Sequence, residues 1–490
     1  MRFSLGLLSS LLASYALAEP VDPVAAVCRR LLNLNSSTTV LPSSQEYTTL
    51  SEDNWSATAW AKPSCIVQPR QVADVQTVVQ LVTRHRVPFA VRSGGHMPSP
   101  FGANINGGVL VDLSSFSGFS YNPETTLATI GVGQRWKTVY EQLEVYSRTA
   151  VGGRVVDVGV GGLLLGGGLS YLSDLYGLAC DNVVDFEVVL ADGSAVHANA
   201  QEHADLFWAL KGGANNFAIV TAATVQTYPI GQVWGGIKWY SNDQLPAVMQ
   251  ALYEYQAAPN KDPYANLMVQ AVPMNATGGV ILNMVYLRPE ESPAAFEPFY
   301  SLPTIQDTTK IQSFTEFMSG AFLPDIPRWD WHSTGFTPSH PLYSKIADFF
   351  LHPNASAELS ALDPITSRTL AVGLQPISAS AVLAGNARGG NALGLQPVNQ
   401  TWLVLDIGWE FAADDGRAHR ATAGVREKIE DLSREEQSYI EYIFMNDASW
   451  DQDVIGHYGE DNVRRLRAVQ NAYDPDCVFQ ELAPGGFKLG

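Results

Sequence analysis

The chain is poor in cysteine, in basic charge and in long apolar runs. Its four cysteines, Cys28, Cys65, Cys180 and Cys477, form no Cys-x-x-Cys pair, which argues against a zinc ribbon or a thioredoxin-type motif. The nine histidines are scattered without ligand spacing, so no metal site is expected. Lys and Arg total 30 against 49 Asp and Glu, a formal net charge of -19. A surface of that sign repels phosphate backbones and argues against nucleic acid as a partner. The nearest approach to a Rossmann fingerprint, Gly131-Val132-Gly133-Gln134-Arg135-Trp136, lacks the last glycine, and no Gly-Lys-Ser/Thr phosphate loop occurs. Gly168-Leu169-Ser170-Tyr171-Leu172 lacks the closing glycine of a hydrolase elbow. No segment after the N-terminus holds the roughly 20 apolar residues that span a bilayer.

What is present begins with a secretory pattern. Arg2 supplies a basic start, residues 3–12 an apolar stretch, and Ala16-Leu17-Ala18 a small-x-small cleavage site. Residues 1–18 are therefore expected to be removed, leaving a secreted protein with no membrane attachment. Five Asn-x-Ser/Thr sites, at Asn35, Asn54, Asn275, Asn354 and Asn399, suit that route as N-glycan acceptors.

With 490 residues, 46% of them hydrophobic, the chain can fill two or three cores. Residues 19–60 read as an irregular arm rich in Ser, Thr and Asn. From residue 61 the pattern becomes regular. Valines at 72, 75, 78, 79 and 82 recur at helical spacing over 72–85. Short strands are expected at 89–91, 108–113, 126–131 and 218–228, a helix at 136–146, and a hairpin over 183–199 turning at Ala191-Asp192-Gly193-Ser194. This mixture predicts an α+β cofactor domain over 61–230. Over 231–445, strand-like runs at 233–240, 265–272, 279–286, 369–375 and 402–411 alternate with helices, clearest at 245–256 and 418–442. They predict a second domain with an antiparallel sheet flanked by helices. Residues 446–490 form a closing segment.

The most informative stretch is Arg92-Ser93-Gly94-Gly95-His96. Adjacent glycines bare the backbone amides for a pyrophosphate, and the histidine lies beside whatever the phosphates carry. Further blocks follow in order: Val158-Gly159-Val160-Gly161-Gly162, then Gly166-Gly167-Gly168-Leu169-Ser170, then Asp181-Asn182-Val183-Val184, and Asn216-Phe217-Ala218-Ile219-Val220-Thr221. This series resembles the berberine-bridge-enzyme-like branch of the vanillyl-alcohol-oxidase superfamily, strongly over residues 60–230 and again over 440–482. The resemblance implies a PCMH-type FAD-binding domain of two α+β subdomains, to which the closing segment returns. It implies FAD linked covalently through His96, with Arg92, Ser93, Gly94, Gly95, Val158, Gly159, Gly161, Gly162, Gly167, Gly168, Asn182 and Val220 around the cofactor. It also implies a disulfide between Cys28 and Cys65, tying the arm to the first strand, with Cys180 and Cys477 left as buried free thiols.

Two departures from the branch carry information. Many relatives make a second flavin link through a cysteine just before the Val-Gly-Val-Gly-Gly block, where this chain has Val155, so a single link is expected. Relatives often read Tyr-x-Asn-Tyr near the C-terminus; here Phe444-Met445-Asn446-Asp447 retains the asparagine alone. Polar candidates on the substrate side are Gln375, Asn391, Glu410 and Tyr442, with Asn446 beside them; of the sheet residues only Glu410 and Tyr442 can act as bases. Trp329, Trp331, Trp402 and Trp409 are candidates to stack on a planar substrate. The expected activity is oxidation of a small organic alcohol or amine, with hydride passing to the flavin and O2 returning as H2O2. A carbohydrate oxidase and a non-redox cyclisation catalyst are the alternatives.

Overall fold

The computed structural model describes residues 22–34, 38–273, 278–320, 325–352 and 356–490. The expected signal (1–18) and the sites Asn35, Asn275 and Asn354 lie outside the described residues. Among the described residues no helix is long and apolar enough to cross a membrane.

The fold is α+β, built on three sheets. A four-stranded sheet runs in the order Thr39–Val40, Cys65–Val67, Val109–Asp112, Phe89–Arg92, its last three strands parallel. Val109–Asp112 is buried along its whole length, as a parallel strand covered on both faces must be. Helix Val72–His85 makes the crossover between two of these strands and buries Val75, Val78, Val79, Leu81 and Val82. An antiparallel sheet follows, Phe119–Asn122, Leu127–Gly131, Ile219–Tyr228, Val183–Val189, Ala195–Asn199, with Thr149–Ala150 on the far end of Ile219–Tyr228. Its last two strands are the hairpin expected over 183–199.

The third sheet has nine strands, every pairing antiparallel. Its centre is Ala265–Val272, Thr369–Ile377, Gln400–Trp409 and Arg328–Phe336 in that spatial order. Alternation sorts the side chains. Leu370, Val372, Leu374, Leu403, Leu405 and Ile407 join the core under helices Leu245–Ala257, His340–Leu351 and Asp415–Glu435. Gln375, Trp402, Asp406, Trp329 and Trp331 occupy the opposite face, on which Trp331 approaches His96 of the glycine loop.

Several expectations need correction. The arm is not irregular: Pro23–Leu34 is a helix that buries Val27, Cys28 and Leu31. Pro23 suits a first helical turn, and the polar run that suggested a loop begins only at Asn35. The helix expected to reach residue 442 ends at Glu435, because Gln437 takes a left-handed φ of 55° and Tyr439–Ile440 pairs with Gly335–Phe336. Strand Arg328–Phe336 went unread; its large aromatics break a simple apolar–polar alternation. Cys28 and Cys65 form a disulfide, Cys180 is free and buried, and Cys477 is free but only half-buried.

Asn54 is corrected as a glycan site. It is 3% exposed; its Oδ1 accepts from Arg92 Nη1 at 3.2 Å and Asn104 Nδ2 at 3.0 Å, and its Nδ2 donates to Ala103 O. Asn399 likewise commits its amide, Nδ2 donating to Gln256 O at 3.1 Å and Oδ1 accepting from Ala379 N at 3.0 Å.

Candidate active site

One wall of the site is the glycine loop that follows strand Phe89–Arg92. Gly94 and Gly159 cross backbone to backbone: a Cβ on Gly94 would lie 2.4 Å from Gly159 Cα. No side chain fits at that crossing. Ser93 locks it, its Oγ donating to Val132 O at 2.5 Å and accepting from Gly161 N at 3.2 Å. Arg92 lies beneath, 1% exposed, its Nη2 3.1 Å from Asp112 Oδ2. It anchors the loop rather than facing outward.

His96 leaves this loop into an aromatic wall. Its ring stacks on Trp55 at 4.4 Å and 8°, with Trp331 5.8 Å away and Trp329 behind Trp55. The imidazole is 8% exposed, and neither ring nitrogen has a hydrogen-bond partner. A buried histidine orphaned at both nitrogens is rare and costs stability. Burial, with help from the Arg135 charge, pushes its pKa down to about 3, so the ring is neutral at any ordinary pH.

The facing wall is the sheet. Trp331 pairs with Asp406 across strands, and Gln375 pairs with Trp402. Gln375 is a bridge: its Nε2 donates to Asp447 Oδ2 at 2.7 Å, and its Oε1 accepts from Arg154. Arg154, Asp406 and Asp447 lie deep in the protein yet are not sealed from solvent, as residues lining a cleft are. Burial raises the Asp447 pKa, held back by Gln375 and the Arg154 charge. Asp406 is raised well above the carboxylate range by burial and then by Asp447. Two carboxyls whose surroundings raise them unequally, one of them linked through Gln375 to a guanidinium, are an arrangement that can divide acid and base roles.

Asn446 fastens the two walls together. Its Oδ1 accepts from Gly168 N at 3.0 Å and its Nδ2 donates to Gly162 O at 3.3 Å, and a Cβ on Gly166 would strike its Nδ2 at 2.4 Å. Both bonds hold the glycine loop in shape. Tyr442 is buried with an unpartnered hydroxyl, its ring 5.2 Å from Trp402, and burial raises its pKa well above the phenol range. Such a phenol is a poor base.

The other expected residues lie further off. Gly162 borders open space where a Cβ would meet nothing within 4 Å. Val158 stays at the loop, its carbonyl accepting from Trp136 N, and Val220 is buried in the antiparallel sheet. Asn182 is structural: it donates to Tyr176 O and Leu178 O and accepts from Tyr228 Oη. Asn391 donates to Asp181 beside a cavity of about 140 Å³ that shares no residue with the Asp447 cluster. Glu410 is exposed just past its strand. The tryptophans part company, with Trp402 against Phe444 and Trp409 in the core under the helices. Sequence reasoning missed Arg154, Asp406 and Asp447, although Asp447 stood in plain view as the replacement for a tyrosine.

The comparisons agree with this geometry. A family model for an FAD binding domain matches residues 63–199. Bifunctional solanapyrone synthase of Alternaria solani is 37% identical over 474 residues, covering 95% of this chain and 89% of its own. The solved 6-hydroxy-D-nicotine oxidase of Arthrobacter nicotinovorans has a TM-score of 0.76 at 21% identity, covering 92% of this chain and 97% of its own. Glucooligosaccharide oxidase of Acremonium strictum, described with 6-S-cysteinyl, 8α-N1-histidyl FAD, reaches 0.77 at 20% identity, covering 92% and 97%. The residues here fit a flavin: Gly162 borders open space beside the glycine crossing, and both His96 ring nitrogens are buried without a partner.

Proposed function

The chain belongs to the berberine-bridge-enzyme-like FAD-linked oxidoreductases, and from that premise we propose that it oxidises a small organic alcohol or amine with FAD held by one covalent bond, through His96. The observation that carries this reading is the neutral, buried His96 ring with both nitrogens unpartnered. A neutral imidazole has the free lone pair that bond formation needs. Val155 stands where the thioether cysteine of doubly linked relatives aligns, and its side chain has no sulfur to offer.

FAD held by the glycine loop and His96 would supply a hydride acceptor, with O2 as the final oxidant and H2O2 as its product. The chain supplies the rest. Asp447 takes the hydroxyl or ammonium proton as the substrate C–H bond is held for transfer, its basicity raised by burial. Arg154 and Gln375 fix the orientation of that carboxylate, and Asp406, kept protonated, donates a hydrogen bond to substrate oxygen or nitrogen. Trp55, Trp329 and Trp331 exclude water beside His96.

The Cys28–Cys65 bridge supports a secretory, oxidising compartment for the protein. Of the glycan sites, Asn35, Asn275 and Asn354 remain in this proposal. A second reading, cyclisation in the flavin pocket, is favoured by the 37% identical relative, a bifunctional synthase. It predicts product without oxygen uptake.

The deciding experiment is acid precipitation of the purified protein and resuspension in denaturant. Yellow colour and in-gel fluorescence are expected in the pellet of the parent and absent from that of His96→Ala. Flavin retained in the variant's pellet removes His96 as the attachment point.

A further inference from the structure

Strand Arg328–Phe336 sends Trp329 and Trp331 toward the flavin loop and Asp330 and His332 to the opposite face, against helix Asp415–Glu435. There His419 of the helix and Asp451 of the following loop complete a cluster. Asp330 Oδ2 lies 3.1 Å from His332 Nε2 and 2.8 Å from His419 Nδ1. The other nitrogen of His419, Nε2, lies 2.9 Å from Asp451 Oδ2. His332 is 1% exposed, and its Nδ1 has no partner. The ligand atoms of Asp330, His332 and His419 all lie within 4.8 Å of one another.

We propose that Asp330 Oδ2, His332 Nε2 and His419 Nδ1 form a binding site for one divalent transition-metal ion of the zinc type. Two imidazoles and a carboxylate are the donor set such ions prefer. Bonds of about 2.0–2.1 Å in tetrahedral geometry put ligand atoms roughly 3.3 Å apart, a small outward step from the 3.1 and 2.8 Å that separate Asp330 Oδ2 from the two nitrogens. Asp451 is a positioning residue. By accepting the Nε2 proton of His419 it leaves the Nδ1 lone pair facing the Asp330 carboxylate. Two sets of lone pairs cannot face each other without a cation between them, whether a proton or a metal ion. His419 is 19% exposed at its side chain, which gives an ion a way in and leaves water as fourth ligand. The bound ion cross-links the strand that carries Trp329 and Trp331 to the longest helix of the sheet domain.

The test uses tag-free, flavin-loaded full-length protein, dialysed against chelator and titrated calorimetrically with zinc sulfate. One equivalent per chain is expected, with an increase in Tm and no change in the flavin absorbance spectrum. Asp330→Asn should weaken binding at least 100-fold. Asp451→Asn, at a half-exposed site that folding tolerates, should keep the one-to-one stoichiometry and weaken binding about 10- to 100-fold. Absence of saturable zinc binding by the parent overturns the proposal. So does unchanged affinity in Asp451→Asn, whether or not Asp330→Asn folds.

Discussion

The two walls of the proposed active site are made in opposite ways. The cofactor wall comes from short glycine blocks, each local in sequence, whose close backbone approach leaves no room for side chains, as at Gly94 and Gly159. The substrate wall is collected from far apart: Arg154, Gln375, Asp406 and Asp447 belong to four segments that only the nine-stranded sheet and the returning C-terminal segment bring together. Local backbone geometry specifies the first; register and burial specify the second. Changes in the cofactor wall should therefore cost stability and flavin, whereas changes in the substrate wall should cost chemistry with the fold intact.

The largest expected effect that sharpens this contrast is Asp447→Asn. Loss of the base should lower kcat/KM by about 10²- to 10⁴-fold while flavin content and Tm stay near the parent's. In the parent, activity should fall as pH drops through the raised Asp447 pKa, because only the ionised carboxylate accepts the proton. That acidic limb should lie above the ordinary carboxylate range and disappear in the variant. A steady-state pH profile checks both; an unchanged limb would remove Asp447 from the chemistry.

On the cofactor side, Asp112→Ala strands the buried Arg92 guanidinium and should destabilise the protein by roughly 3–5 kcal/mol, read by chemical denaturation. Gly94→Ala should cost about 1–3 kcal/mol through the clash with Gly159 and lower flavin occupancy, measured from the absorbance ratio of purified protein. Asn446→Ala, which unfastens Gly162 and Gly168, should cost about 1–3 kcal/mol and lower flavin occupancy too; a loss of kcat alone would break the division drawn here. At the far end, Glu410→Gln should leave kcat/KM within roughly twofold, since an exposed side chain has no part in the cluster.

The same contrast explains what was readable beforehand. Helix Val72–His85 and the hairpin Val183–Val189 with Ala195–Asn199 were legible because their periodicity and turn residues are local. Strand Arg328–Phe336 was not, because its large aromatics break the simple apolar–polar alternation, and only pairing with Gln400–Trp409 and Tyr439–Ile440 reveals it. The end of helix Asp415–Glu435 was overrun for a related reason. No glycine or proline stops it; the edge pairing of Tyr439–Ile440 does.

Asn54 shows the limit in a single residue. Its sequence context is that of a glycan acceptor, yet folding turns it inward to hold Arg92 and Asn104 beneath the flavin loop. Asp447 shows the converse, a substitution visible in the motif whose meaning appears only once Gln375, Arg154 and Asp406 surround it.

Sequence by itself determined the cofactor class and the absence of a cysteine at Val155, since each rests on short motifs whose backbone or side-chain chemistry is intrinsic. Tertiary structure alone decided which carboxylates are pushed up by burial, which asparagine is buried and which histidines meet. Those properties depend on desolvation and on distances between segments that lie far apart in the chain.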